Sequence, residues 1–416
     1  MEILPKKIVI LGSGFAGIYS ALSIQKRCGK SVSITIINRT NYFLFTPMLH
    51  EAATGGLGNH QIVESIRKIV YNKSMDFVEA DIMSVDVSKK EVTTSAGIVP
   101  YDMLVIALGA TTNYFGTPGA EANTLVLKNL NDAITIRDRI IDKFEAASSE
   151  KDLEKKKRML SFVVVGGGAT GVETVSEIAE LCSHTLRKLY SKQISCEEVS
   201  ITLVNSSPEL LGVFDAKVRA YAQKILEKNS IKLMLNIAVK EVTPTSVILG
   251  DGTSIESENV IWTAGVKPND LVTTGGVLPK DKGGRIITDK TFAVPGFPDV
   301  FAIGDISHFI EESARGLPML AQVAVGEGNH LGKNISNKIK GLPLKPFYYL
   351  SKGEFVSLGR GQASGTIFGI HFYGKPAWFI WRTIYLFKFI STSKRFRIAF
   401  DWTMQLFSSR DITRAR

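Results

Sequence analysis

The chain has 416 residues, 44% of them apolar, and 36 glycines, enough for two or three domains with buried cores and unlike a disordered polymer. Its three cysteines, Cys28, Cys182 and Cys196, form no CxxC pair, which argues against a disulfide framework, a cysteine zinc site and a redox dithiol. Of the net charge of +10, +6 falls in residues 376–416, where eight Lys/Arg meet two Asp, so the excess marks one segment rather than the whole surface.

The start, MEILPKKIVILG, enters a strand directly, without a charged leader, a long apolar stretch or a small-residue cleavage site, so a cytosolic start is expected. Residues 7–17, KIVILGSGFAG, read as a strand, a turn holding Gly12, Ser13, Gly14, Phe15, Ala16 and Gly17, and the start of a helix. This is GxGxxG in the strand-turn-helix setting that binds dinucleotides. The first glycine permits the tight turn, the second lets backbone N–H groups approach a pyrophosphate, and the third allows close helix–strand packing. The next strand, VSITIINRTN, ends at Asn38, where an acidic residue usually accepts hydrogen bonds from ribose.

YDMLVIALGATTNYFGTPG (101–119), with Gly109, has the form of a strand that returns over an adenosine. LSFVVVGGGATGVETVSEIAEL (160–181) repeats the first turn with Gly166, Gly168, Ala169, Thr170 and Gly171, and VSITLVNSSPEL then ends at Asn205. Two such turns predict two nucleotides. An asparagine lacks the charge that repels a 2′-phosphate, yet no arginine stands next to Asn205, which leans the second site towards NADH. WTAGVKP (262–268) follows with Gly265, then VFAIGDIS (300–307), whose Asp305 stands where a carboxylate binds ribityl hydroxyls. AQVAVGEG (321–328) is expected to begin a helix just after that strand.

The six histidines (50, 60, 184, 308, 330, 371) have no ligand spacing, so no metal is expected; His50 reads as lining a flavin cavity or as an ordinary loop histidine. Residues 376–390, PAWFIWRTIYLFKFI, are interrupted by Arg382 and Lys388 and fall short of the roughly 20 apolar residues of a spanning helix. Over 394–408 a helical spacing puts Phe396, Ala399, Phe400, Thr403 and Phe407 on one face and Lys394, Arg397, Asp401, Gln405 and Ser408 on another. Such helices lie in a bilayer interface against anionic phospholipid, or form a hairpin buried on their own domain or at a dimer interface; both can hold for different faces. The apolar runs lack the interleaved basic residues of a nucleic-acid surface.

The order of turn, ALGA strand, second turn, WTAGVKP and GD resembles the two-dinucleotide-binding-domain flavin reductases. NYFLFTPMLHEAATG, LKNLNDAITIRDRI, GGGATGVETVSEIAEL, LGVFD, IWTAGVKPN, FAIGDIS, AQVAVGEG and SLGRGQASGTIFGIHFYGKPAWFIWRTIYL resemble the type II NADH dehydrogenases, single-subunit NADH:quinone oxidoreductases. The resemblance implies an α/β fold of two Rossmann-like domains, the NADH domain inserted in the FAD domain, with a C-terminal amphipathic helical membrane-anchoring region. Its boundaries would be 1–120 and 286–345 for FAD, 121–285 for NADH and 346–416 for membrane association.

It also implies non-covalent FAD around Gly12, Ser13, Gly14, Phe15, Ala16, Gly17, Asn38, Arg39, Thr46, Ile82, Gly109, Asp305, Ala321 and Gln322, and NADH around Gly166, Gly168, Ala169, Thr170, Gly171, Asn205 and Gly265. Hydride would pass from NADH to FAD, and two electrons to a membrane quinone without proton pumping. Glu173 would relay protons with a raised pKa; without the resemblance it is equally a surface glutamate favoured by a helix N-terminus. Gln322 would donate to a quinone carbonyl. The family's second glutamine, four residues on, is Gly326 here, beside Glu327, which leaves a wider channel, a changed acceptor or a carboxylate substitute. No cysteine occupies residues 40–55, against thiol-dependent reductases. A homodimer on the cytoplasmic face of the cell membrane completes the expectation; the alternatives are a related reductase with another acceptor and a non-catalytic flavin sensor.

Overall fold

Two runs rich in β-branched residues, Lys6–Leu11 and Val32–Asn38, pair as parallel strands with Ile8 opposite Ile34 and Ile10 opposite Ile36. The first is covered on both faces and runs apolar from Ile8, while the second alternates buried Val32, Ile34 and Ile36 with half-buried Ser33 and Thr35; Ile8, Ile10, Leu11, Ile34 and Ile36 are wholly buried. The structure, a computed structural model, describes residues 4–309, 317–351, 353–404 and 409–413 and divides into two compact units. Unit 1 comprises Met1–Leu44, Val63–Thr111 and Val266–Leu350; unit 2 comprises Phe45–Ile62, Thr112–Gly265 and Ser351–Arg416. The chain thus changes unit after residues 44, 62, 111, 265 and 350.

In unit 1 the main sheet runs Ala293–Val294, Phe297–Ala302, Met103–Ile106, Lys6–Leu11, Val32–Asn38, Met75–Glu79, parallel except at the first pair. The first strand sits centrally and the chain winds away from it in both directions, the topology that opens a ligand crevice at the strands' carboxyl ends. Helix Phe15–Cys28 crosses over to the second strand, and helix Ala321–Ile339 lies on it at backbone distance. A Cβ added at Gly328 would stand 2.7 Å from the Ala16 carbonyl oxygen, and one at Gly332 2.3 Å from Ser23 Oγ. Ser23 Oγ donates to the Asn329 carbonyl at 3.0 Å. The small residues of AVGEGNHLG are thus the price of a close helix crossing.

Unit 2 repeats the plan in a five-stranded parallel sheet, ordered Leu125–Val126, Asn259–Trp262, Ser161–Val165, Ser200–Val204, Lys232–Met234. Helix Ala169–Glu180 leaves the central strand and continues through a π-helical turn, Leu181–Leu186. Helix Leu130–Ser149 begins with a capping box in which Asn129 and Asp132 satisfy each other's backbone N–H groups. The C-terminal part forms an antiparallel sheet, Gly353–Ser357, Ala363–Ile367 and Ile370–Tyr373, and two helices, Gly374–Lys388 and Thr392–Met404.

These helices carry two apolar faces each. Trp378, Trp381, Ile398 and Trp402 are buried in unit 2, while Phe379, Phe387, Phe396 and Phe400 are exposed, Phe396 by 75%. The expected Phe396–Phe400 stripe therefore faces outward. The inward stripe of Ile398 and Trp402 was not separated by spacing, because the indole edge of Trp402 meets an acid described below. Gln405, Phe407 and Ser408 lie outside the described residues. No helix among the described residues is long and apolar enough to cross a membrane.

Replacing Gly328 by valine should force the two unit 1 helices apart, because the added carbons meet backbone rather than a flexible side chain. We expect a loss of about 1–3 kcal/mol, read as a lowered Tm in thermal unfolding followed by circular dichroism.

Candidate functional site

The two glycine turns are built alike, atom for atom. Gly12 and Gly166 hold φ at +97° and +115°, where a side chain is strained. A Cβ at Gly17 would fall 2.0 Å from the Gly12 carbonyl oxygen, and one at Gly171 1.8 Å from that of Gly166, so only glycine lets each helix start so near its strand. The middle glycines, Gly14 and Gly168, are exposed N-caps with open space where a Cβ would stand, and their carbonyls accept from Ile18 and Val172 at 3.0 Å. Ser13, Phe15 and Ala16 are buried behind the first turn; Ala169 is half-buried and Thr170 exposed at the second. An orphan N–H array at a helix start, open to the outside, fits a pyrophosphate in each unit.

Both asparagines are wired into these turns. Asn38 Oδ1 accepts from Ser13 N at 3.2 Å while Nδ2 donates to the Thr40 carbonyl and Thr40 Oγ1 at 2.9 and 3.0 Å. Asn205 Oδ1 accepts from Gly167 N, and Nδ2 donates to the carbonyls of Ser207 and Glu209, all at 3.0 Å. Each amide clamps its turn, a use that needs both an acceptor and two donors. In unit 2, Thr263 Oγ1 donates to the Val165 carbonyl at 2.8 Å, and Gly265 follows with φ +70° beneath the Phe115 ring.

In unit 1 a single turn of 3-10 helix, Gly304–Ile306, carries Asp305 beside the first glycine turn: a Cβ at Gly304 would lie 3.1 Å from that of Ala16. Ala321 and Gln322 open their helix as expected, half-buried, and leave the first N–H groups of the helix without intrahelical partners. Glu327 does not line an open face. It is 4% exposed and accepts from Gly304 N at 2.5 Å, bracing the Asp305 turn from below, and burial lifts its pKa to about 7. At Gly326 an added Cβ would lie 3.4 Å from Phe347, whose ring occupies the neighbouring space.

The remaining expected FAD residues are more dispersed. Arg39 is mostly exposed, its Nε 3.7 Å from Asp81 Oδ1; Ile82 is half-buried at the start of a strand; Gly109 holds φ +68° after Met103–Ile106. Thr46, itself exposed, opens a 3-10 turn in unit 2 that ends on buried Met48. Gln322 belongs to unit 1 and Glu173 to unit 2.

Glu173 is not a surface residue. It is 9% exposed, accepts from Ser357 N at 3.1 Å, and its Oε2 lies 3.6 Å from His50 Nδ1. Burial, opposed only partly by the Ser357 hydrogen bond, pushes its pKa up to about 8, while burial pulls His50 down to about 4. At neutral pH both are uncharged. His50 Nε2 and the nearby Trp381 Nε1, on rings 6.1 Å apart, are buried without hydrogen-bond partners among the described residues. Tyr385 stands 5.2 Å from Trp381 and 6.1 Å from Phe45 between ring centroids, which completes an aromatic enclosure. Such orphaned donors beside a neutral acid suit a ligand that carries carbonyl oxygens on an apolar ring.

Behind this pair the acids continue at helical spacing, Glu173, Glu177 and Glu180 on one face. Arg410 Nη2 reaches Glu177 Oε2 at 2.7 Å and Glu180 Oε1 at 3.0 Å, and its Nη1 donates to Thr54 Oγ1 at 2.7 Å. Trp402 Nε1 donates to Glu51 Oε2 at 2.8 Å, and the Arg382 guanidinium lies 3.7 Å over the Trp378 ring and 4.7 Å from the centre of Trp402. A cavity of about 240 Å³ is lined by Glu51, Glu177, Glu180, Arg360, Arg382 and Arg410. Burial lifts Glu51 to about 7 and raises Glu180; it acts on Glu177 too, but Arg410 overcomes it and holds Glu177 below the usual range. The group thus pushes Glu51 and Glu180 towards the protonated form and Glu177 towards the charged one.

The resemblance singles out Glu173 in the sequence but not Glu51, Glu177, Arg410, Trp381 or Tyr385. The signal present was the run GVETVSEIAEL, three acids at i, i+4 and i+7 on an otherwise apolar helix. Arg410 had no local signal, since its partners lie more than 200 positions away.

Comparison with known proteins agrees with this geometry. Residues 6–328 match the family of pyridine nucleotide-disulphide oxidoreductases, and residues 352–411 match an NDH2 C-terminal domain. The chain is 33% identical to an internal alternative NAD(P)H-ubiquinone oxidoreductase A1, mitochondrial, of Arabidopsis thaliana, over 98% of this chain and 85% of that one. It is 31% identical to a type II NADH:quinone oxidoreductase of Staphylococcus saprophyticus, over 91% and 94%. Its fold is similar to a structure of NDH2 from Plasmodium falciparum in complex with NADH, with TM-score 0.91 at 21% identity over 98% of this chain and all of that one. A sulfide:quinone oxidoreductase of Aquifex aeolicus shares the fold more loosely, with TM-score 0.71 at 19% identity over 91% and 89%.

Two stability outcomes follow from the acid cluster. Arg410→Met leaves Glu177 charged and buried, and should cost about 3–5 kcal/mol at pH 8. Because the folded pKa of Glu177 is lowered, its stabilisation is lost as pH falls, so the penalty in urea unfolding should shrink at pH 5. Glu173 has the opposite sign: its folded pKa is raised from 4.5 to about 8, so stability declines as pH rises through that window. Glu173→Gln should remove that decline, and its Tm advantage over the parent should grow from pH 5 to pH 8.

Proposed function

Because the chain belongs to the type II NADH:quinone oxidoreductases of the pyridine nucleotide-disulphide oxidoreductase family, we propose that His50 and Glu173 supply the protons that its quinone substrate takes up. The enzyme oxidises NADH and reduces a quinone. Its resident cofactor is FAD, which the first glycine turn fits, with Asn38 clamping the turn and Asp305 placed for ribityl hydroxyls. When bound, FAD accepts hydride from NADH and passes two electrons on to the quinone.

The observation that carries the proposal is a buried Glu173 carboxyl 3.6 Å from the buried His50 imidazole in an aromatic enclosure, where burial pushes the acid's pKa up and the imidazole's down. A quinone oxygen that gains electron density needs a proton and a donor in the same place. With Nδ1 turned to the Glu173 carboxyl, His50 carries its hydrogen on Nε2 and donates it to that oxygen. Glu173 then gives its proton to Nδ1, which restores a neutral ring. The resulting Glu173 carboxylate is costly in this setting, so it takes up a proton again, and Glu51, lifted to about 7, is a store with a matched pKa.

The outward stripe of Phe396 and Phe400 with exposed Arg397 fits an interface between water and anionic lipid, the setting in which a lipid-soluble quinone is met. We therefore place the enzyme peripherally on a membrane, with its inward stripe closing unit 2. Removing the whole tail would destroy the buried contacts of Trp381, Trp402 and Arg410, so point changes are the appropriate probes.

In stopped-flow mixing, NADH should bleach the flavin, and a short-chain quinone should restore its absorbance. Glu173→Gln should slow the restoring phase by about 10²-fold and leave bleaching near the parent rate; an unchanged quinone phase removes Glu173 from the reaction. Phe396→Glu combined with Phe400→Glu should release the protein from anionic vesicles in a sedimentation assay, and retention would refute the lipid surface.

A further inference from the structure

We propose that the adjoining C-terminal ends of helices Phe15–Cys28 and Ala321–Ile339 in unit 1 form a binding site for a soluble polyphosphate, a ligand with two or more linked phosphate groups. The close crossing at Gly328 and Gly332 runs these helices side by side, and their last turns line one open groove of about 500 Å³. Its walls are Lys26, Arg27, Lys333, Ser336, Asn337 and Lys340. Four of the six are cations, and none is acidic or apolar.

Cations are ordinarily drawn to a helix C-terminus by the dipole and by its unsatisfied carbonyls. Here other donors already serve those carbonyls. Gly29 N donates to the Gln25 carbonyl, and Ser31 Oγ to that of Cys28 at 2.6 Å. On the other helix Lys340 N and Leu342 N donate to the Asn337 carbonyl at 3.0 and 2.8 Å, and Gly341 N to that of Lys338 at 3.1 Å. Lys26, Arg27, Lys333 and Lys340 are exposed, and among the described residues their side chains form no ion pair or hydrogen bond.

Neither helix supplies a balancing charge. Phe15–Cys28 contains no acid, and Glu327, the one carboxylate of Ala321–Ile339, is buried against Gly304 N. Lys338, on the same last turn, is held by Asp299, which Lys90 also holds. Four like charges around one groove repel each other, and an anion between them relieves that repulsion.

The chemistry of the groove selects the anion. Ser336 is only 5% exposed, lines the groove, and its hydroxyl makes no hydrogen bond among the described residues. Lysine and arginine together with a hydroxyl donor recognise phosphate oxygens. One phosphate group carries a charge of about two, so two or more linked groups match four cations. A flat bilayer would meet the lysine tips without reaching Ser336, and would find no apolar side chain in the lining.

The test is isothermal titration with tripolyphosphate at fixed ionic strength, using FAD-loaded protein with NAD⁺ in excess so that both glycine turns are filled. We expect binding at a single site. Lys333→Ala combined with Lys340→Ala should weaken it at least about tenfold, and Ser336→Ala about three- to tenfold, since a hydrogen bond to a charged acceptor is lost. Lys224→Ala combined with Lys228→Ala removes the same charge from exposed positions of helix Ala216–Lys228 and should leave affinity within about twofold of the parent. The inference falls if the parent does not bind, if the two lysine pairs weaken binding equally, or if Ser336→Ala has no effect, for then only diffuse surface charge is at work. Sedimentation with anionic vesicles separates the lipid alternative. If the Lys333 and Lys340 changes lower vesicle binding while tripolyphosphate binds neither form, the groove is a lipid contact and the proposal is overturned.

Discussion

A helix can present its unsatisfied N–H groups to a phosphate only if it starts within contact of the strand that leads into it, and a side chain in that gap forbids the approach. Gly17 and Gly171 meet this limit with carbonyl oxygens 2.0 and 1.8 Å from where a Cβ would be. The rest of each unit follows from it. Parallel strands converge on the turn, an asparagine amide holds the turn's shape, and a second helix can approach unit 1 only because Gly328 and Gly332 repeat the same economy of volume. A chain that must bind two dinucleotides has met one steric constraint twice.

The proposed second demand, a source of protons in a buried enclosure, pulls against the first principle of burial. Buried carboxyls resist ionisation, and this is useful: Glu173 keeps a proton at neutral pH that an exposed glutamate would have lost. Several such acids in one place would not coexist without counter-charge. Arg410, arriving from near the end of the chain, and Arg382, laid between two indoles, supply it. The same C-terminal segment thus faces two ways, with guanidinium and indole groups turned into the acid cluster and phenylalanines turned out. That division explains how one basic, aromatic tail serves both as core and as candidate lipid surface.

Much of the plan was legible in the residues. Strand, turn and helix around both glycine motifs, the helix that opens at Ala321, and the absence of a spanning helix among the described residues rest on local rules of φ, spacing and length, so they read directly. Glu327 shows where such reading stops. Spacing leaves its partner open, and in the fold the carboxyl turns under Gly304, because one step along a helix rotates a side chain by about 100° and the Asp305 turn offers a backbone N–H there. His50 shows the same limit from the other side, an unremarkable loop residue by sequence that is 2% exposed beside Glu173.

What the sequence by itself determined was the set of local geometries: two dinucleotide turns, their order, the acid-bearing helix Ala169–Glu180, and the kinship that names the reaction. What only the tertiary structure decided was the company these residues keep. Glu173 could be a solvated first-turn glutamate or a neutral buried acid, and Arg410 could be one more cation in a basic tail. Burial and partners 184 and 233 positions apart settled both, since desolvation and Coulomb interaction depend on distance in space and leave no periodic trace along the chain.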